Sequence, residues 1–130
     1  MSKTKGLVIS LVVVLTLAVA GGAFLTWRAF VAPSELEKVA EACDVVGLLE
    51  DGGKSITFDT LGKDESGIER GDIFDVGCVT NRLDTPSYVT THIDSTRALD
   101  GQQTDEWDDY EARWSYHPDS GLDLTIIDRS

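Results

Sequence analysis

The sequence predicts an α+β protein. One N-terminal transmembrane helix is followed by a small extracytoplasmic domain of two antiparallel β-hairpins, packed on two or three helices and held by one disulfide. Three observations carry this expectation. Leu7 to Trp27 runs 21 residues without a charged side chain. Stretches 48–59 and 111–128 place β-type residues on either side of turns that contain glycine. Before and between them, apolar residues recur at helical spacing and bring Cys43 and Cys78 onto inward faces.

As a helix, the apolar run spans about 31 Å at about 1.5 Å per residue, matching a hydrocarbon core of about 30 Å. Lys3 and Lys5 precede it, so the positive-inside bias sets residues 1–6 in the cytoplasm and everything after Arg28 outside. Residues 28–33 then form a juxtamembrane linker, and 34–130 form the extracytoplasmic domain. The rival reading is a signal peptide with Leu7–Leu17 as its apolar region, cleaved after Ala20 in Ala18-Val19-Ala20. Cleavage there would leave Phe24, Leu25, Trp27, Phe30 and Val31 on an untethered tail, which favours an anchor. The expected location is the cell membrane, single-pass, with secretion as the alternative.

Charge is unevenly placed. Residues 1–32 hold Lys3, Lys5 and Arg28 and no acid. Residues 33–130 therefore carry all 23 carboxylates against 8 Lys/Arg, a net charge of −15 over 98 residues. Such a surface repels nucleic acid and anionic lipid and favours cations or basic partners.

Ser34 with Glu37 three residues on is a capping box, and Leu36, Val39, Ala40, Cys43 and Val46 continue a helical stripe that Gly47 ends. Asp51-Gly52-Gly53 supplies the positive φ angles of a tight hairpin between Leu48-Leu49-Glu50 and Ser55–Asp59. A polar loop, 63–67, precedes a second helix over Asp72–Leu83, with Ile73, Val76, Gly77, Thr80 and Leu83 on one stripe. Thr85 can cap a third helix with Pro86 at its first position and Val89 and Ile93 inward. The β-branched run Tyr88–Ile93 leaves a strand open as the alternative. Ala112, Trp114 and Tyr116 then alternate along a strand. After Pro118–Gly121, Leu122, Leu124 and Ile126 alternate along its partner.

Two cysteines in an exported domain are expected to pair, and Cys43–Cys78 is the one intramolecular pairing available. Closing that loop stabilises the fold by about 4 kcal/mol on the chain-entropy account.

Candidate chemistry is sparse. Asp105, Glu106, Asp108, Asp109 and Glu111 are dense enough to attract Ca²⁺ but lack the alternating ligands, central Gly and terminal Glu of a calcium loop, so they read as a solvated face. His92 and His117 are the only imidazoles, too few for a zinc site when both cysteines are bonded. No Gly-x-Ser-x-Gly elbow or phosphate-cradling loop occurs, so no catalytic residue, metal ligand or cofactor is assigned. Among the aromatics, Trp114 and Tyr116 read as framework, whereas Trp107 and Tyr110 read as an exposed pair. Arg97, Asp100, Trp107, Asp108, Asp109 and Tyr110 lack the periodicity of a core and are the candidate binding residues.

Cys43, Asp51-Gly52-Gly53, Cys78, Thr96-Arg97-Ala98-Leu99-Asp100-Gly101-Gln102, Trp107, Trp114-Ser115-Tyr116-His117-Pro118-Asp119 and Gly121-Leu122 cover most of residues 40–127. In these residues the chain resembles a group of small, uncharacterised exported or membrane-anchored proteins of Gram-positive bacteria. The resemblance implies an extracytoplasmic location and carries over no activity, ligand or catalytic residue. The functional expectation is a non-enzymatic interaction module of the cell envelope, anchored by its N-terminal helix and contacting an envelope protein, not nucleic acid. A divalent-cation-binding acidic domain and a small envelope hydrolase are the alternatives. Oligomeric state is left open.

Overall fold

Ser34 opens the first helix in the computed structural model, which describes residues 32–63 and 69–130. Its hydroxyl accepts from the Glu37 N–H at 3.1 Å, and the Glu37 carboxylate accepts from the Ser34 N–H at 2.7 Å. The reciprocal cap starts helix α1, Glu35–Ala42, which buries Leu36, Val39 and Ala40. The helix stops earlier than its stripe suggested, because Asp44 takes a left-handed φ of 59°. Val46 therefore leaves the helical face, begins a short 3₁₀ turn, Val46–Leu48, and is exposed. Strands β1, Leu49–Glu50, and β2, Ser55–Asp59, form the first hairpin. Its turn seats on the α1 cap: a Cβ on Gly53 would lie 2.7 Å from the Glu37 side chain.

Asp72 caps helix α2, Ile73–Arg82, by accepting from the Phe74 and Asp75 N–H groups at 2.7 and 2.9 Å. The buried face is Val76, Val79, Thr80 and Leu83, so the helix is rotated from the expected stripe and Ile73 is 55% exposed. Helix α3, Ser87–Ser95, settles the helix-or-strand alternative and turns Val89 and Ile93 inward. Pro86 stands at its N-cap rather than inside it. The Thr85 hydroxyl does not cap; it is buried with no hydrogen-bond partner among the described residues.

Strands β3, Gln103–Trp107, β4, Tyr110–His117, and β5, Gly121–Asp128, follow as a meander. All pairings are antiparallel, and the five-stranded order is β1-β2-β5-β4-β3. The expected two hairpins are thus joined edge to edge by β2–β5 pairing. The first strand of the meander, β3, lies in the stretch read as a solvated acidic face. Ile56 and Phe58 stand beside Ile126 and Leu124, which stand beside Ala112 and Trp114. With Trp107 and Leu122, these residues form the sheet's contribution to a core shared with all three helices. The opposite face carries Thr57, Thr125, Arg113, Glu111 and Glu106, the one-sided exposure that antiparallel sheets permit.

Cys43, just past the end of α1, and Cys78 in α2 form a disulfide with a Cα–Cα distance of 6.0 Å. Among the described residues, no helix is long and apolar enough to cross a membrane. The span expected over Leu7–Trp27 and the cleavage site at Ala20 lie outside the described residues.

Candidate functional site

The chain leaving β2 crosses the β4–β5 turn at backbone contact. The Thr60 N–H donates to the Leu122 carbonyl at 3.0 Å, the Leu122 N–H donates to the Thr60 hydroxyl at 2.8 Å, and the Lys63 N–H donates to the Pro118 carbonyl at 3.0 Å. Glycine is required at both contact points. A Cβ on Gly62 would sit 2.2 Å from the Asp119 carbonyl, and one on Gly121, at φ +88°, would sit 2.1 Å from the Thr60 carbonyl.

This crossing is part of the lining of a groove of about 450 Å³, walled by Leu61, Ile73, Ile93, Asp94 and Tyr116. It shares Ile73, Ile93 and Asp94 with an apolar arm of about 220 Å³ between α2 and α3, lined further by Val76, Gly77, Thr80 and Thr90. Apolar side chains stand around it: Ile73, Leu61 and Tyr116 (39% exposed) are open to solvent, and Phe74 is exposed next to Ile73. Concave apolar surface with a few polar groups is what a binding site requires.

Next to this groove in the chain, His92 is held in a polar network. Its Nδ1 lies 2.7 Å from Asp105 Oδ2, and its ring stands edge-on to Trp114 with centroids 4.9 Å apart. The Trp114 indole donates to the Thr96 hydroxyl at 2.8 Å, which donates to the His92 carbonyl at 2.6 Å. An imidazole oriented by a carboxylate is half of a general-base site. However, His92 lines neither arm of the groove, so the network ties α3 to β3 and β4. His117 is on the exposed turn, its Nδ1 accepting from the Asp119 N–H at 3.2 Å.

The candidate binding residues do not line the groove. Trp107 is corrected from exposed to core: it is 5% exposed, and its indole donates to the Leu83 carbonyl at 3.3 Å. Tyr110, expected to be its exposed companion, is half-buried against it with ring centroids 5.6 Å apart. Burial first, and then the charge of Asp128, push the Tyr110 hydroxyl pKa up. Asp108 and Asp109 are the two-residue link between β3 and β4, with Asp108 at φ 46°. Arg97 and Asp100 close a 3₁₀ turn, Ala98–Asp100, through an Arg97 N–H to Asp100 carboxylate bond of 2.7 Å; the turn projects Leu99, 99% exposed.

The sequence-level acidic cluster is dispersed by strand alternation. Asp105 faces the helices and His92, whereas Glu106 and Glu111 face the open side, where both pair with Arg129 and Glu111 also pairs with Arg113. The Arg113 hydrogen bond holds the Glu111 carboxyl below its ordinary value, and Arg70, bonded at 2.9 Å, does the same for Glu50. Among the described residues, no group of three His, Cys, Asp or Glu side chains is placed to hold a metal ion.

The groove residues escaped sequence reading because Ile73, Gly77 and Ile93 look like core stripe positions. Ile73 and Gly77 are exposed and Ile93 is buried, a difference set by how α2 and α3 are rotated over the sheet. Leu61, in a loop, gave no periodic signal at all. No protein-family model, curated protein or solved structure matches the chain.

Proposed function

We propose that the protein is a non-enzymatic interaction module of the cell envelope, anchored by residues 7–27 with its folded domain outside the cytoplasm, and that it docks a partner protein in the groove beside the Thr60–Leu122 crossing and in its arm between α2 and α3. The observation that carries the reading is the open groove of mixed polarity at the Gly62–Gly121 crossing, continued by an apolar arm, with Ile73, Leu61 and Tyr116 exposed around it. Leaving such surface in water is unfavourable by about 25 cal/mol per Å², a cost that a partner relieves.

The location rests on the apolar run and its flanking lysines, and the Cys43–Cys78 bond supports an oxidising compartment.

The test is affinity purification of the tagged full chain from native membranes, comparing wild type with Ile73→Glu. A carboxylate on the groove wall is expected to remove a specific co-purifying protein while leaving the chain folded and in the membrane. Identical recovery from both would contradict docking in the groove.

A further inference from the structure

Two residues of the groove are poor choices for the elements that carry them. Gly77 stands in the interior of α2, where glycine is the least favourable residue after proline. Its backbone does not need it, since its φ is not positive, and among the described residues an added Cβ would meet no atom within 4 Å. Asp94 is the penultimate residue of α3, where the helix dipole disfavours an anion. Among the described residues it makes no ion pair that would offset this. Both line the apolar arm, and Asp94 belongs to the main groove as well. Local rules broken in two neighbouring elements, at one cavity, mark a surface selected for something other than stability.

Resting on the docking reading above, we infer that the occupant is a segment of a partner protein that places an apolar side chain in the arm beside Gly77 and an adjacent Lys or Arg against Asp94. Glycine leaves the wall of the arm bare, so the arm accepts a side chain that alanine or leucine at 77 would crowd. Asp94 is exposed and lines both the groove and its arm, so a cation next to the inserted side chain can reach its carboxylate. The surrounding charge favours the same partner. Residues 33–130 hold 23 carboxylates against 8 Lys/Arg, which attracts a basic segment and repels both anionic lipid and a second copy of the chain.

The experiment uses the full chain in zwitterionic nanodiscs, panned against a random octapeptide display library. Binding of the enriched peptides is then measured for wild type, Gly77→Leu, Asp94→Lys and the charge-matched control Glu41→Lys on α1. The expected peptides pair an apolar residue with a neighbouring Lys or Arg. Their binding is expected to weaken about tenfold or more in Gly77→Leu and in Asp94→Lys and to change little in Glu41→Lys. Peptides that Gly77→Leu blocks but that lack the basic residue, or that ignore Asp94→Lys, would overturn this inference and leave groove docking standing. Failure to select any peptide that Gly77→Leu blocks would overturn both. Gly77→Ala gives an independent reading: it is expected to raise the Tm by about 4 °C through helix propensity alone. A fall in Tm would show that the fold itself needs the glycine and would remove the premise.

Discussion

His92 and Asp105 meet at 2.7 Å, joining the last turn of α3 to the edge strand β3. The pair lies over Trp114, the largest fully buried side chain, and so fixes the helix above the centre of the core. Both groups are partly solvated, which limits the strength of the contact. A double-mutant cycle of His92→Ala and Asp105→Ala, measured by urea unfolding at pH 7, is expected to give a coupling of about 0.5–1.5 kcal/mol. Zero coupling would mean that the pair adds nothing to the other contacts that hold the helix, among them Val89, Ile93 and the Tyr88 hydroxyl on the Glu106 carbonyl.

Gly121 and Gly62 are expected to be the least replaceable glycines in the domain. At Gly121 a methyl group would stand 2.1 Å from the Thr60 carbonyl and the backbone is at φ +88°, so Gly121→Ala is expected to destabilise by about 3 kcal/mol or more. Gly52 is also left-handed, at φ +66°, but among the described residues an added Cβ there meets nothing within 4 Å. Gly52→Ala should lose only about 1 kcal/mol. Thermal unfolding of the two variants side by side checks the order.

Reducing the Cys43–Cys78 bond opens a loop with a sequence separation of 35. The chain-entropy account gives a loss of about 4 kcal/mol, a large part of the stability of a domain this size. Chemical denaturation with and without reductant measures it. A shift below about 1 kcal/mol would show that packing of α1 on α2 already confines the reduced chain.

Acid sensitivity should centre on the open face of the sheet. Glu111, its side chain 9% exposed between Arg113 and Arg129, and Glu50 beside Arg70 both have carboxyls held below the ordinary value. A depressed folded-state pKa means that the stabilisation is complete above the unfolded value of about 4.3 and is lost as pH falls through the folded one. Stability is therefore expected to decline below about pH 4.3, and the decline should be shallower in Glu111→Gln. Tyr110 acts at the other end. Its raised pKa adds stability that is present below about pH 10 and lost as pH rises beyond it, so Tyr110→Phe should flatten the alkaline limb.

Elements with a local signal were legible in the sequence. Ser34 with Glu37 forms the expected capping box, and Leu122, Leu124 and Ile126 face inward as their alternation requires. Strand β3 was not legible, because two of its three inward positions are polar. Gln103 donates its side-chain amide to the Asp100 carbonyl, and Asp105 meets His92. With Trp107 as the only apolar inward residue, no hydrophobic period exists to read. The same satisfaction of polar groups at long range made the acidic stretch look like solvated loop and Trp107 look exposed. The groove needed the rotation of α2 and the Thr60–Leu122 crossing, neither of which is encoded in any short window.

The most direct measurement is a photo-crosslinking scan of the full chain in native membranes, with a photoreactive residue placed in turn at Ile73, at Tyr116 and at Thr104 on the open side of β3. Groove docking predicts one discrete adduct, of the same partner, from Ile73 and Tyr116 and none from Thr104. Equal adducts from all three positions, or an adduct from Thr104 alone, would contradict it.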